Sequence, residues 1–217
     1  RLRSGDVIYL APLTRSLEMR SQHWSTGYMV TPASDRDTLL DAVWAADNGC
    51  FSAGDRFDPQ AYLDWLAAPR RPRERCLFAV AGPDVVGNAD LTWQQSSPML
   101  GEIRALGYPA AYVAQDGFDP EVIDWGAFGV LFIGGTTHWK RSERGGYAAI
   151  AEARRRGKRT HVGKVNAAAY IRSLAVAGVD SADGTWVIRN PNGMMALFER
   201  TLDRLAVQPP MLLESAS

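Results

Sequence analysis

The 217 residues carry 24 basic and 24 acidic side chains, so no net charge draws the chain towards nucleic acid, although a local basic face still can. With 46% hydrophobic and 22% charged residues, the composition is that of a globular domain with a sizeable core, and no run approaches the ~20 apolar residues of a membrane span. Two cysteines, Cys50 and Cys76, lie in apolar surroundings and read as reduced core residues of an intracellular protein; no Cys/His cluster has the spacing of a structural zinc site.

Residues 1–34 are the least legible part, with strands expected at 6–11 and 27–31 and no stretch that reads as a signal peptide. Residues 35–43 form a short capped helix or turn leading into a buried strand over 42–46. A helix follows, opened by the cap Asp58 and the first-turn proline Pro59, and then a basic, proline-broken connection over 69–75. From there the alternation is plain. Strands are expected at 76–81 (CLFAVA), 110–114 (AAYVA) and 129–133 (GVLFI). Between and after them come a helix to Leu106 interrupted around Pro98, a short helix over 120–125, and a helix over 142–156. The stretch 158–190 supplies a strand ending in His161-Val162-Gly163-Lys164, an amphipathic helix, and a short strand ending in Asp180 and Asp183. A last helix is expected over 193–205 and a tail over 208–217.

Seven or eight apolar strands alternating with helices imply a parallel sheet, and the compact form is a (β/α)8 barrel occupying 1–217 as one domain; an open doubly wound sheet is the alternative. In a barrel the residues that end the strands converge on one face. Here they are Asp47, Asp84, Gln115, Gly134-Gly135, His161 and Asp183, with Phe51 near Asp47 as a stacking surface. Carboxylates, an amide and close backbone suit a flat polar ligand such as a purine. Asp180, three residues before Asp183, is the other carboxylate of its strand.

The order of these segments resembles the tRNA-guanine transglycosylase superfamily, including its DNA-modifying branch in phages and bacteria. The carriers are DNGCFS (47–52), FAVAGPD (78–84), VAQDG (113–117), FIGG (132–135), THVGK (160–164) and GVDSAD (178–183). The resemblance implies base exchange: Asp183 as nucleophile at a glycosidic carbon, Asp47 as acid/base, and Phe51, Asp84, Gln115, Gly134, Gly135 and His161 around the base. Arg189 and Lys164 would contact phosphate. It further implies no cofactor, a cytoplasmic setting, nucleic acid (DNA before tRNA) and a free 7-deazaguanine as partners, and a possible homodimer. The tRNA enzymes' zinc subdomain has no counterpart, and Cys50 and Ser52 replace a Gly and a Gln of the first motif. Two other readings stay open. One is a lyase or aldolase-like barrel acting on a small phosphate ester, with Gly134-Gly135 and Gly163 as a phosphate cradle and Lys164 as a Schiff-base amine. The other is a nucleic-acid-binding relative without activity.

Overall fold

In the computed structural model, residues 7–13, 26–35, 42–68, 72–186 and 200 are described. Eight parallel strands close on themselves in sequence order. They are β1 (Ile8–Pro12), β2 (Thr26–Val30), β3 (Trp44–Ala46), β4 (Cys76–Val80), β5 (Ala110–Ala114), β6 (Val130–Ile133), β7 (Arg159–Val162) and β8 (Ser181–Asp183). Pairing of Leu10 with Asp183 shuts the ring between β1 and β8. The fold is the expected compact (β/α)8 barrel, with strand limits shifted by one or two residues.

Period-two alternation sorts the side chains into two layers. Ile8, Leu10, Met29, Ala45, Phe78, Val80, Ala111, Val113 and Val130 form one cluster, the filling of the barrel. Their neighbours Tyr9, Tyr28, Trp44, Ala79, Tyr112 and Leu131 belong to the second cluster, which joins the strands to the helices. Strands buried on both faces must read as continuous apolar runs, which is why CLFAV, AAYVA and VLFI stand out in the sequence.

The helices are α1 (Cys50–Ala53), α2 (Pro59–Ala67), α3 (Ala89–Ala105), α4 (Thr137–Lys140), α5 (Ala148–Arg155) and α6 (Ala168–Val176). Asp58 caps α2 by accepting from the Ala61 N–H at 3.1 Å, and Asn88 caps α3 through Leu91 at 3.0 Å. Three expectations change. Pro98 does not interrupt α3: it is exposed, as is Gln94, so water can satisfy the carbonyl the proline leaves without a donor. The segment 120–125 is not a helix, because Asp119 and Asp124 each accept from the backbone N–H two residues on, at 2.9 and 2.8 Å, and fold it into turns. The α-helix expected over 142–156 begins only at Ala148; the residues before it form a kinked π-helical turn, Glu143–Tyr147, in which Gly145 has φ −111° and ψ −106°. The final helix over 193–205 lies outside the described residues except for Arg200. No described helix is long and apolar enough to cross a membrane.

Candidate active site

The carboxyl ends of the strands surround a cavity of about 110 Å³, comparable to space for one small organic molecule. Val80, Val113 and Phe132 line it from the barrel interior, and polar groups stand on its walls.

On the β7–β8 side, register places His161 beside Ser181, both pointing inward. His161 is fully buried, packed with ring centroids 4.8 Å from Phe78 and 4.5 Å from Phe132. Its Nδ1 lies 2.8 Å from Ser181 Oγ and its Nε2 lies 3.0 Å from Asp183 Oδ1. A carboxylate only accepts, so Nε2 carries the proton, and in the neutral ring Nδ1 accepts from the serine. Asp183 is thus held from behind by a buried histidine while its side chain remains 22% exposed to the cavity. Asp180 does not share this site. It precedes β8, and its carboxylate accepts from the Thr160 N–H at 2.7 Å, at the other end of the strands. Three residues of strand carry it away from Asp183.

On the β3–β5 side, Asp47 accepts from the Gly49 N–H at 2.7 Å in a tight turn whose Gly49 has φ +72°. Burial, with further contributions from Asp183 and Asp84, outweighs that hydrogen bond and pushes its carboxyl up to about 6. Asn48 is buried and ties the turn to its neighbour, donating to the Ala81 carbonyl at 3.1 Å. Asp84 follows the cis Gly82–Pro83 bond and receives two donors: Cys50 Sγ at 2.9 Å and Gln115 Nε2 at 3.0 Å. Gln115, also buried, accepts from the Gly87 N–H at 3.1 Å. Gln115→Leu leaves one oxygen of Asp84 without its donor and is expected to cost about 2 kcal/mol, measurable by urea unfolding; an unchanged midpoint would show that water replaces the amide at no cost.

On the β6 side, Gly134 and Gly135 are there for close packing. A Cβ at Gly134 would sit 2.6 Å from Val113 Cγ1, and Gly135 has φ +71°. Beyond them α4 ends in Lys140, which is buried. Its Nζ donates to the Gly163 carbonyl at 2.7 Å, and burial lowers its ammonium to about 8 against the opposing pull of Asp183. Lys164 has the opposite character. It is exposed, holds a left-handed backbone at φ +59°, and places Nζ 3.9 Å from the centroid of the exposed Phe51 ring, bridging the cavity mouth.

The structure therefore brings Asp47, Phe51, Asp84, Gln115, Gly134, Gly135, Lys164 and Asp183 to the lining of one cavity. His161 stands behind Asp183, and Arg189 lies outside the described residues. In the sequence Lys140 has the look of loop surface; the Gly145-Gly146 pair, out of place inside a helix pattern, is the signal of a close backbone approach there. The expected phosphate cradle is not formed by the amides of Gly134 and Gly163, because they donate to Ala114 and Ile133 in the strand ladder. Among the described residues, no group of three or more His, Cys, Asp or Glu side chains is placed to hold a metal ion.

The chain has the architecture of a (β/α)8-barrel protein with a polar cavity at the carboxyl ends of its strands. No family model matches it, and neither does any curated protein. Among solved structures it is similar to tryptophan synthase alpha-subunits from the hyperthermophile Pyrococcus furiosus. Two mutant forms of that subunit align at TM-scores of 0.56 and 0.54, both at 14% identity, each over 96% of this chain and 100% of the other. At that identity the likeness is one of fold.

The resemblance to the tRNA-guanine transglycosylase superfamily is overturned by these comparisons, and with it the assignment as a pentosyltransferase exchanging guanine for a 7-deazaguanine. The geometry supplies the physical reason the motifs mislead. Asp47-Asn48-Gly49 is a side-chain-capped turn, Gly134-Gly135 answers to packing and a left-handed turn, and Asp84 and Gln115 bond to each other. Phe51 is 69% exposed and covered by a lysine at the rim. Short strand-end segments of this kind are what closing a small barrel asks of a sequence.

Proposed function

We propose that this chain is a lyase-like barrel enzyme that breaks or forms a bond in a small polar molecule by moving protons between Asp47 and Asp183. The observation that carries the reading is the difference between the two carboxyl groups. Asp47 is pushed up to about 6 by burial, whereas Asp183 is held by a hydrogen bond from His161. Two carboxyl groups in one cavity with unlike surroundings divide the work of acid and base. Near neutrality Asp47 retains a fraction of its proton and is suited to give it up, while Asp183 is oriented to accept one. The barrel likeness to tryptophan synthase alpha-subunits agrees with this class, and the cavity volume favours a substrate of a few carbon atoms over a polymer.

The test is a turnover screen over small hydroxy- and oxo-compounds, with and without a phosphate group, comparing wild type with Asp183→Asn. The expected result is turnover of at least one compound that the variant loses while its melting temperature stays close to wild type. Equal turnover by both proteins would remove Asp183 from the chemistry and end this reading.

A further inference from the structure

We infer that Lys140 is a covalent catalytic amine, and that the substrate of this cavity carries a ketone or aldehyde which its Nζ captures as an iminium; this rests on the acid–base reading above and deepens it.

The surroundings of the nitrogen set its chemistry. Lys140 is only 3% exposed, yet it lines the cavity together with Asp47 and Asp183. A buried ammonium ordinarily has a carboxylate against it. Here the described residues give Lys140 no salt bridge; its hydrogen bond goes to a neutral acceptor, the Gly163 carbonyl, at 2.7 Å. That bond needs one N–H and no positive charge, so it survives when the group becomes a free amine. One N–H then anchors the nitrogen and the lone pair is left for the cavity. Burial lowers the ammonium to about 8, which leaves a usable fraction of free amine near neutrality. Lys164, the other cavity lysine, is exposed and rests its Nζ on the face of Phe51 at the cavity rim. Position is fixed as well. The π-helical turn lays Gly146 against the Lys140 backbone so closely that an added Cβ would sit 2.3 Å from the Lys140 carbonyl oxygen.

The step balances with the groups present. The Nζ lone pair adds to the carbonyl carbon, forming the C–N bond, and the C=O π pair moves to oxygen, which takes a proton from the Asp47 carboxyl. The ammonium proton released from nitrogen passes to Asp183, and returns to the hydroxyl as it leaves with its bonding pair as water. The net change is amine plus carbonyl plus one proton giving iminium plus water. The iminium then draws electrons from an adjacent bond, which is how such a cavity would cleave carbon–carbon or carbon–oxygen bonds.

Wild-type protein is incubated separately with dihydroxyacetone phosphate, pyruvate and glyceraldehyde 3-phosphate in the presence of cyanoborohydride, and adducts are located by peptide mass mapping. The expected result is a one-to-one adduct on the Lys140 peptide with at least one probe. It should form at least about tenfold faster at pH 7 than on exposed lysines, whose ordinary value is near 10.4. Lys140→Arg, which keeps the charge and a donor for Gly163, abolishes that adduct. Labelling of Lys140 no faster than surface lysines with all three probes overturns the proposal, as does preferential labelling of Lys164. Mapping on the wild type gives the answer even if a variant fails to fold. The outcome separates from that of the carboxylate reading: turnover lost in Asp183→Asn with no labelled Lys140 overturns the covalent step alone, whereas labelled Lys140 with full turnover in Asp183→Asn keeps the covalent amine and overturns the carboxylate pair together with its proton relay.

Discussion

Asp47→Asn is expected to stabilise the fold at pH 8 and to leave it unchanged near pH 3.5, while reducing turnover by about a hundredfold or more. The sign follows from the direction of the shift. Asp47 titrates at 3.8 when unfolded and at about 6 when folded, because burial, Asp183 and Asp84 all disfavour the anion. Below 3.8 both states are protonated and the folded state bears no charge penalty. Between 3.8 and 6 the unfolded chain loses its proton first, so stability falls as pH rises. Above 6 the folded protein carries the cost of a partly buried anion, on the order of 3 kcal/mol for a shift of this size. Asparagine keeps the oxygen that accepts from the Gly49 N–H and cannot ionise. The gap between variant and wild type therefore opens between pH 4 and 6 and then levels off. Urea unfolding at pH 3.5, 5, 6 and 8 reads it directly. A gain that is the same at every pH, or a loss at pH 8, would mean that Asp47 is not held protonated by its surroundings. A group that is stabilising to remove and costly to function is the kind of conflict expected at an active site.

How far the sequence can be read depends on whether the deciding contacts are local. Strands such as β5 and β6 announce themselves because a residue buried on both faces of a parallel barrel has no polar option. Convergence of Asp47, Asp84, Gln115 and Asp183 follows from the architecture alone, since each lies at or just beyond the carboxyl end of a strand. What cannot be read is the meaning of that convergence. A capped Asp-Asn-Gly turn and a Gly-Gly after a strand look like a ligand site and like barrel closure for the same backbone reasons, and the order of such segments cannot separate one barrel family from another. Asp180 and Asp183 are indistinguishable by composition. Only the register of β7 with β8 shows that Thr160 takes one and His161 the other. Lys140 escapes a sequence reading because lysine after His-Trp in a loop has every look of surface; its burial is caused by a turn that begins three residues later and by a carbonyl from beyond another strand.

Gly146→Ala tests that non-local cause and is expected to damage the fold. The obstacle is backbone: the added Cβ would lie 2.3 Å from the Lys140 carbonyl oxygen and 2.8 Å from its carbonyl carbon and Cα, so no side-chain rotation relieves it. Either the π-helical turn lifts off α4 or α4 moves with Lys140, and overpacking of this kind costs about 3 kcal/mol. Gly101→Ala is the matched control. Gly101 lies within α3 with nothing inside 4 Å of an added Cβ, and the substitution there is expected to stabilise by about 0.5–1 kcal/mol through the helix preference for alanine. The two substitutions add the same methyl group with opposite expected sign, so thermal unfolding of the pair isolates the close approach from any general effect of losing a glycine. If Gly146→Ala proves as mild as Gly101→Ala, the turn does not pin Lys140. If it destabilises as expected, cyanoborohydride labelling of Lys140 in the still-folded fraction should fall with it, because the nitrogen reaches the Gly163 carbonyl only while its own backbone is held in place.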